Sequence, residues 1–184
     1  MTSTGWYVVV VAAVAVERLI ELIVSKRHER VMRARGGREF GASHYPAMVA
    51  LHSALLVGCL AEVALADRSF VPWLGVTMMV VVVASQALRW WCITTLGVQW
   101  TTRVLVSPDI PLVTGGPYRW FRHPNYVAVV AEGAALPLVH GSWVTATSFT
   151  VLNAVLLRAR IRVENAALTE AATARTTPVG GRDA

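Results

Sequence analysis

The sequence predicts an all-α polytopic membrane protein with about five transmembrane helices, and three observations carry that expectation. Of 184 residues, 55% are hydrophobic and 15% charged, and the mean hydropathy is +0.51, too apolar for an ordinary soluble domain of this length. The apolar residues fall into runs of spanning or near-spanning length, separated by charged stretches. The net charge is +6, yet the basic residues sit almost entirely in the gaps between those runs. That is the pattern of loops beside anionic membrane lipid, and it argues against a nucleic-acid partner.

Gly5 to Val24 is apolar and can span, since about 20 residues cross the hydrocarbon core. It has no positive n-region or small-residue cleavage site, so it does not read as a removed signal peptide. Its lower half carries Glu17, Arg18 and Glu21. The two carboxylates share a helix face, with Arg18 free to snorkel or to pair with either. Both a helix end at the interface and a site facing a polar cavity fit this pattern. Ser25 to Tyr45 reads as a basic cytoplasmic loop with Gly36-Gly37 as a helix stop. Pro46 then opens a second span, Ala47 to Ala66, with His52 one to two turns inside it and Glu62 near its far end. The short connection Asp67-Arg68-Ser69 leads to a third span, about Phe70 to Thr94, which ends in Arg89-Trp90-Trp91 as a helix reaching an interface does. Cys59 and Cys92 lie in apolar segments without metal-ligand spacing and read as small buried hydrophobes.

Residues 95–126 show no sustained apolar run and no clean period. A loop that long in a compact domain is functional or disordered, and its aromatic residues and valines argue against disorder. It closes on the densest polar, cationic and aromatic run of the chain, Gly115 to Tyr126. Val127 to Val139 and Trp143 to Leu157 then read as a short helical hairpin, below spanning length, turning at His140-Gly141-Ser142. Glu132 lies in its first arm. A carboxylate at that depth is either a site residue or the structural partner of an Arg or His on a neighbouring helix. The second arm continues as a helix through Leu168, placing Glu164 on the face of Leu157, Ile161 and Leu168, with Arg160 four residues before it. Residues 1–170 thus read as one domain and 171–184 as a flexible cytoplasmic tail. Six Lys and Arg fall in 25–45, three in 94–126 and five from 158 onward, against Arg68 alone in the opposite loops. This bias predicts a multi-pass cell-membrane protein with its amino terminus outside and its carboxyl terminus and long loop cytoplasmic.

Gly116-Pro117-Tyr118, Arg122-His123-Pro124-Asn125-Tyr126, the hydrophobic hairpin, and Arg160-Ile161-Arg162-Val163-Glu164 with Leu168 together resemble the isoprenylcysteine carboxyl methyltransferase family of integral membrane methyltransferases, over roughly 96–168. The amino-terminal half, with Glu17-Arg18, Glu21, Gly41, His44-Tyr45 and Leu51-His52, is similar to the bacterial branch found beside type III polyketide synthases, whose members methylate the phenolic hydroxyl of alkylresorcinols or alkylpyrones. The resemblance implies S-adenosylmethionine as cofactor, released as S-adenosylhomocysteine, in a pocket of the cytoplasmic helix ends and their loop. It also implies a lipophilic small-molecule substrate arriving from the bilayer and functional coupling to a type III polyketide synthase. Carried onto this chain, His123 and Tyr126 contact the amino acid end of the cofactor and Glu164 its ammonium. Val113 to Tyr118, Gly116 included, line the adenosine, with Asn125 and Arg160 completing the set. Many relatives carry a second Glu after this one; here the residue is Asn165.

The chemistry of the residues is compatible. No soluble-type glycine-rich nucleotide fingerprint occurs, so a Rossmann methyltransferase is not expected. Methyl transfer from a sulfonium needs chiefly alignment and exclusion of water. Glu164 and the cations Arg122, Arg160 and Arg162 offer charges opposite to an ammonium and a carboxylate. A carboxylate acceptor needs no base, whereas a phenol, with a pKa of about 10, is helped by a base or a nearby cation. Glu132, His52 and Arg103 are the catalytic candidates, in that order. Other readings stand beside this one. They are carboxyl methylation of an isoprenylcysteine-like substrate, a small proton-coupled transporter using Glu17, and a scaffold with a basic face for anionic lipid. In the last, His123-Pro124 is only a helix start with Asn125 as cap, and Arg119 and Arg122 are lipid anchors.

Overall fold

Thr2 caps the first helix through its Oγ1, which accepts the Gly5 amide at 3.2 Å, and α1 then runs over Ser3–Ala34. In this computed structural model the described residues are 2–66, 68–107 and 110–176. Helix α1 continues well past Val24, through the first half of the stretch expected to be loop. Falling hydropathy marks where the apolar environment ends, not where the helix does. Ser25 and Met32, two turns apart on one face, are both buried and hold the basic extension against the rest of the chain. The helix stops where Gly36-Gly37 predicts, with their amides turned back onto the Arg33 and Met32 carbonyls at 3.1 and 2.8 Å.

Helices α2 (Tyr45–Leu65), α3 (Pro72–Leu96) and α4 (Pro124–Leu138) each carry a proline in the first turn, where the missing amide costs nothing. Among the described residues two segments, Ala42–Leu65 and Pro72–Gln99, are long and apolar enough to cross a membrane, with mean hydropathies of 2.0 and 1.6. Helix α4, at about 22 Å, falls short of the roughly 30 Å hydrocarbon core. Helix α5 spans Trp143–Thr176, about 50 Å in all, and so runs beyond Leu168 into the stretch expected as a tail. The remainder of that stretch, with Asp67 and Pro108, lies outside the described residues.

One departure from an all-helical chain is a two-stranded antiparallel sheet. Strand β1 (Arg38–Phe40) pairs with β2 (Val104–Val106), Arg38 opposite Val106 and Phe40 opposite Val104. Val104 and Val106 pack on Ala167 and Ala171 of α5. The sheet thereby joins both loops expected to be irregular to the extension of the last helix.

The core joins Tyr7 and Val11 of α1, Leu55 and Cys59 of α2, Val82 of α3, Leu136 of α4 and Phe149 of α5. Both cysteines are free and buried, as expected. Helices α4 and α5 touch closely at Gly133, where a Cβ would lie 2.0 Å from the Phe149 ring. Large apolar side chains face outward along the same helices, among them Leu65 (86% exposed), Trp73 (72%) and Val57 (67%), a lipid-facing pattern. Glu62 crosses from the end of α2 to cap α5. Its carboxylate accepts the Val144 and Thr145 amides at 3.2 and 2.8 Å and the Thr145 hydroxyl at 2.9 Å, with Arg68 at 3.2 Å.

Candidate active site

His123 is the N-cap of α4, and one turn later Tyr126 stacks on its ring at 5.3 Å between centroids. Both reach across to the carboxylate of Glu164 on α5. The Tyr126 hydroxyl donates to Glu164 Oε2, and His123 Nδ1 lies 3.5 Å from Oε1. The Asn165 amide oxygen accepts from His123 Nε2 at 3.1 Å. The hydrogen bond to Glu164 holds His123 above its ordinary pKa, outweighing burial. Burial alone would raise the Glu164 carboxyl, but hydrogen bonds from His123 and Tyr126 keep it below the usual carboxylate range. Glu164 and His123 are thus favoured as an ion pair. Asn165 beside it is uncharged, which leaves that pair with a single negative charge.

Arg160, one turn before Glu164, braces the same group. Its Nε donates to the Tyr126 hydroxyl at 2.8 Å and an Nη to the Thr102 carbonyl at 2.7 Å. Thr102 is held in turn by Ser25 of the α1 extension, whose hydroxyl accepts the Thr102 amide at 2.9 Å. The long loop is therefore pinned between α1 and α5.

His123, Tyr126, Arg160 and Glu164 border a cavity of about 510 Å³, within the usual range for small-molecule sites. Val113, Tyr118, His123, Asn125, Tyr126, Arg160 and Glu164, all expected to bind cofactor, line it. Gly116 does not, but it sets the turn beneath them. Its φ is +56°, and a Cβ there would meet Thr95 Oγ1 at 2.5 Å. Burial pushes the Tyr118 phenol up, and the adjoining Cys92 thiol adds to this. Arg122 also lines the cavity. Sequence reasoning missed the walls supplied by Met32 at the end of α1 and by Thr169 and Ala172 on α5. Only the helix continuations, hidden by falling hydropathy, would have placed them there.

A second, more apolar cavity of about 180 Å³ lies on the other side of Tyr126. Trp100, Thr101, Asn125, Tyr126 and Arg160 border both spaces. The Trp100 Nε1 and Asn125 Oδ1 atoms in that partition are buried without a hydrogen-bond partner among the described residues. His52 borders the second cavity, its Nδ1 donating to the Met48 carbonyl at 2.8 Å and its ring edge-on to Phe149.

Arg18, Glu21 and Arg89 also line the second cavity. They belong to a buried ion network that also holds Glu132. Its carboxylate takes Arg18 Nη2 at 3.0 Å and Arg89 Nη2 at 2.5 Å, and it borders neither cavity. It is the structural partner of two arginines. Glu17 accepts from Gln86 and Trp90 on α3. Arg103 borders the first cavity but is committed to Glu39 at 2.5 Å, with Glu29 at 3.7 Å and its guanidinium 4.1 Å above the Tyr45 ring. The hydrogen bond to Glu39 raises its pKa further, so Arg103 is a fixed cation and no proton acceptor.

Fold and site together define a helical membrane protein in which a larger cavity bearing charged side chains adjoins a smaller, more apolar one. A profile of the isoprenylcysteine carboxyl methyltransferase (ICMT) family matches residues 76–170, and the chain belongs to that family of membrane methyltransferases. It is 38% identical over 161 residues to the uncharacterized Bacillus subtilis protein YpbQ, covering 87% of this chain and 95% of the relative. An uncharacterized Haemophilus influenzae protein is 23% identical over 158 residues, covering 85% and 91%. Among solved structures, the eukaryotic intramembrane Ras methyltransferase ICMT matches in fold with a TM-score of 0.55 at 24% identity, covering 68% of this chain but only 46% of that one.

Proposed function

We propose that the chain is an S-adenosylmethionine-dependent methyltransferase that O-methylates a phenolic lipid, such as an alkylresorcinol or alkylpyrone, entering from the bilayer. The observation that carries this reading is the shared partition. A larger cavity lined by the charged Glu164 and Arg122 and a smaller, more apolar cavity have Trp100, Thr101, Asn125, Tyr126 and Arg160 in common. A charged donor and a greasy acceptor can meet only where two such spaces adjoin.

The first cavity fits the cofactor. It has a carboxylate for an ammonium, a guanidinium for a carboxylate, apolar walls from Leu96, Leu112 and Leu168, and unpaired polar atoms at Trp100 and Asn125. Bound there, the cofactor supplies an electrophilic methyl group on a sulfonium. The protein's own part is to hold the amino acid end through Glu164, to keep Tyr126 and Arg160 fixed at the partition, and to exclude water from it. The basic ends of α1 and α5 and the long loop then face the cytoplasm, with the amino terminus outside. A type III polyketide synthase would supply the acceptor.

The guanidiniums of Arg18 and Arg89 in the second cavity also suit a carboxylate, the acceptor of an isoprenylcysteine methyltransferase. The test is transfer of a labelled methyl group by the full-length chain in detergent or proteoliposomes, with alkylresorcinols and a prenylcysteine offered side by side. Product from the alkylresorcinol supports the reading. Product from the prenylcysteine alone replaces it with carboxyl methylation. S-adenosylhomocysteine binding without transfer to either overturns both acceptor classes.

A further inference from the structure

Glu21 is only 4% exposed, borders the apolar cavity, and is incompletely satisfied. Its Oε2 takes Arg18 Nη1 at 2.5 Å, whereas its Oε1 makes no hydrogen bond among the described residues and has only Arg89 Nε at 3.5 Å. The Nε atoms of Arg18 and Arg89, both buried, also lack hydrogen-bond partners among the described residues. An acceptor and two donors therefore stand without hydrogen bonds among the described residues beside a cavity suited to a lipid. Unmade hydrogen bonds in such surroundings are costly unless a ligand or water completes them.

Charge in the network points the same way. Glu17, Glu21 and Glu132 are gathered around Arg18 and Arg89, three carboxylates to two guanidiniums, so one negative charge is in excess. A proton taken up by one carboxylate makes the group neutral, which a low-dielectric interior favours. Glu132 is filled on both oxygens and set back from the cavity, while Glu17 is engaged by Gln86 and Trp90. Glu21 alone combines a free oxygen with access.

We propose that the Arg18, Glu21 and Arg89 wall of the apolar cavity binds the acceptor's acidic hydroxyl, with Glu21 Oε1 as its proton acceptor and Arg18 and Arg89 as positioning residues that stabilise the developing phenolate. The assignment rests on the O-methylation reading above. In the balanced step, the hydroxyl proton passes to Glu21 and the acceptor oxygen forms the new O–CH3 bond. The S–CH3 bond of the sulfonium donor breaks with its electron pair kept on sulfur as a neutral thioether. Glu21 then returns the proton to solvent.

The experiment compares Glu21→Gln, Glu21→Asp and Glu132→Gln with wild type on two acceptors of equal chain length, an alkylresorcinol and a nitro-substituted alkylphenol acidic enough to be ionised already. Glu21→Gln should lower kcat on the alkylresorcinol by about 100- to 10,000-fold, the usual contribution of a positioned base. It should change kcat on the nitrophenol by less than about tenfold, because a base has nothing to remove there. Glu21→Asp should recover part of the alkylresorcinol activity, and Glu132→Gln should affect both acceptors alike. Absorbance of the bound nitrophenol gives a second readout. Read across the probe's own ionisation, it should shift towards the coloured phenolate at lower pH when Glu21 is replaced by neutral Gln, since the excess negative charge beside it is gone. S-adenosylhomocysteine binding verifies that each variant is folded.

Equal losses on both acceptors with an unshifted probe spectrum would make Glu21 a structural residue and overturn the proposal, as would full alkylresorcinol activity in Glu21→Gln. If Glu21→Gln does not fold, Glu21→Asp decides, because a loss confined to the alkylresorcinol is expected and an equal loss on both refutes. Wild type that methylates no phenol has failed the underlying reading, a result visible before any variant is made.

Discussion

Replacing Glu164 by Gln tests the cofactor cavity at its most constrained point. The carboxylate accepts the Tyr126 hydroxyl and faces His123 Nδ1 at 3.5 Å. Gln keeps the shape and can still accept one hydrogen bond, so the chief loss is the negative charge. A hydrogen bond to a charged group contributes about 1.5–3 kcal/mol, so S-adenosylhomocysteine should bind about 10- to 150-fold more weakly. Calorimetric titration of detergent-solubilised protein measures this directly. A ligand truncation isolates the contact. 5′-Methylthioadenosine lacks the ammonium and the carboxylate, so its affinity should be the same, within about twofold, for wild type and variant. An equal weakening of both ligands would mean that Glu164→Gln merely distorts the cavity. An unchanged affinity for S-adenosylhomocysteine would mean that the ammonium lies elsewhere.

Two other predictions concern the packing and the charges. Arg89→Met leaves Glu132 and Glu21 short of a buried partner and should destabilise the protein by about 3–5 kcal/mol, whereas adding Glu132→Gln should recover a large part; thermal unfolding of the single and double variants checks this, and additive losses would refute the coupling. The His123–Glu164 pair makes stability depend on pH. Because His123 is raised above 6.5, its contribution is complete below about pH 6.5 and is lost as pH rises through its folded pKa. Because Glu164 is lowered below 4.5, its contribution is present above about pH 4.5 and is lost as pH falls through its folded pKa. The pair should therefore stabilise most between those two values. Melting curves of His123→Ala should lack the alkaline-side decline that wild type shows, and parallel profiles would refute the assignment.

Much of this arrangement is legible in the amino-acid sequence, because local signals carry it. Prolines at helix starts, Gly36-Gly37 at a helix end and long valine-rich runs are each read from neighbouring residues. The motifs around His123 and Glu164 identify the family and the first cavity. Helix length is not legible where polarity changes inside an element, since Lys26, Arg27 and Arg30 prolong α1 beyond its apolar run. The strand pair was invisible because Arg38-Glu39-Phe40 has no strand character of its own and exists only against Val104-Leu105-Val106, more than sixty residues away. The pairing of Glu132 with Arg18 and Arg89 posed the same difficulty. Its partners were present as candidates, but which helices stand side by side is a matter of tertiary packing.

The cap that Glu62 places on α5 has a consequence for how the protein is made. The first turn of α5 offers amides that find their acceptor on a helix inserted much earlier, so the last hairpin can settle only once α2 is seated. Maturation is thereby ordered along the chain, and a nascent protein damaged at Glu62 should stall with α5 inserted but unanchored, open to quality-control proteolysis although every residue of both cavities is intact.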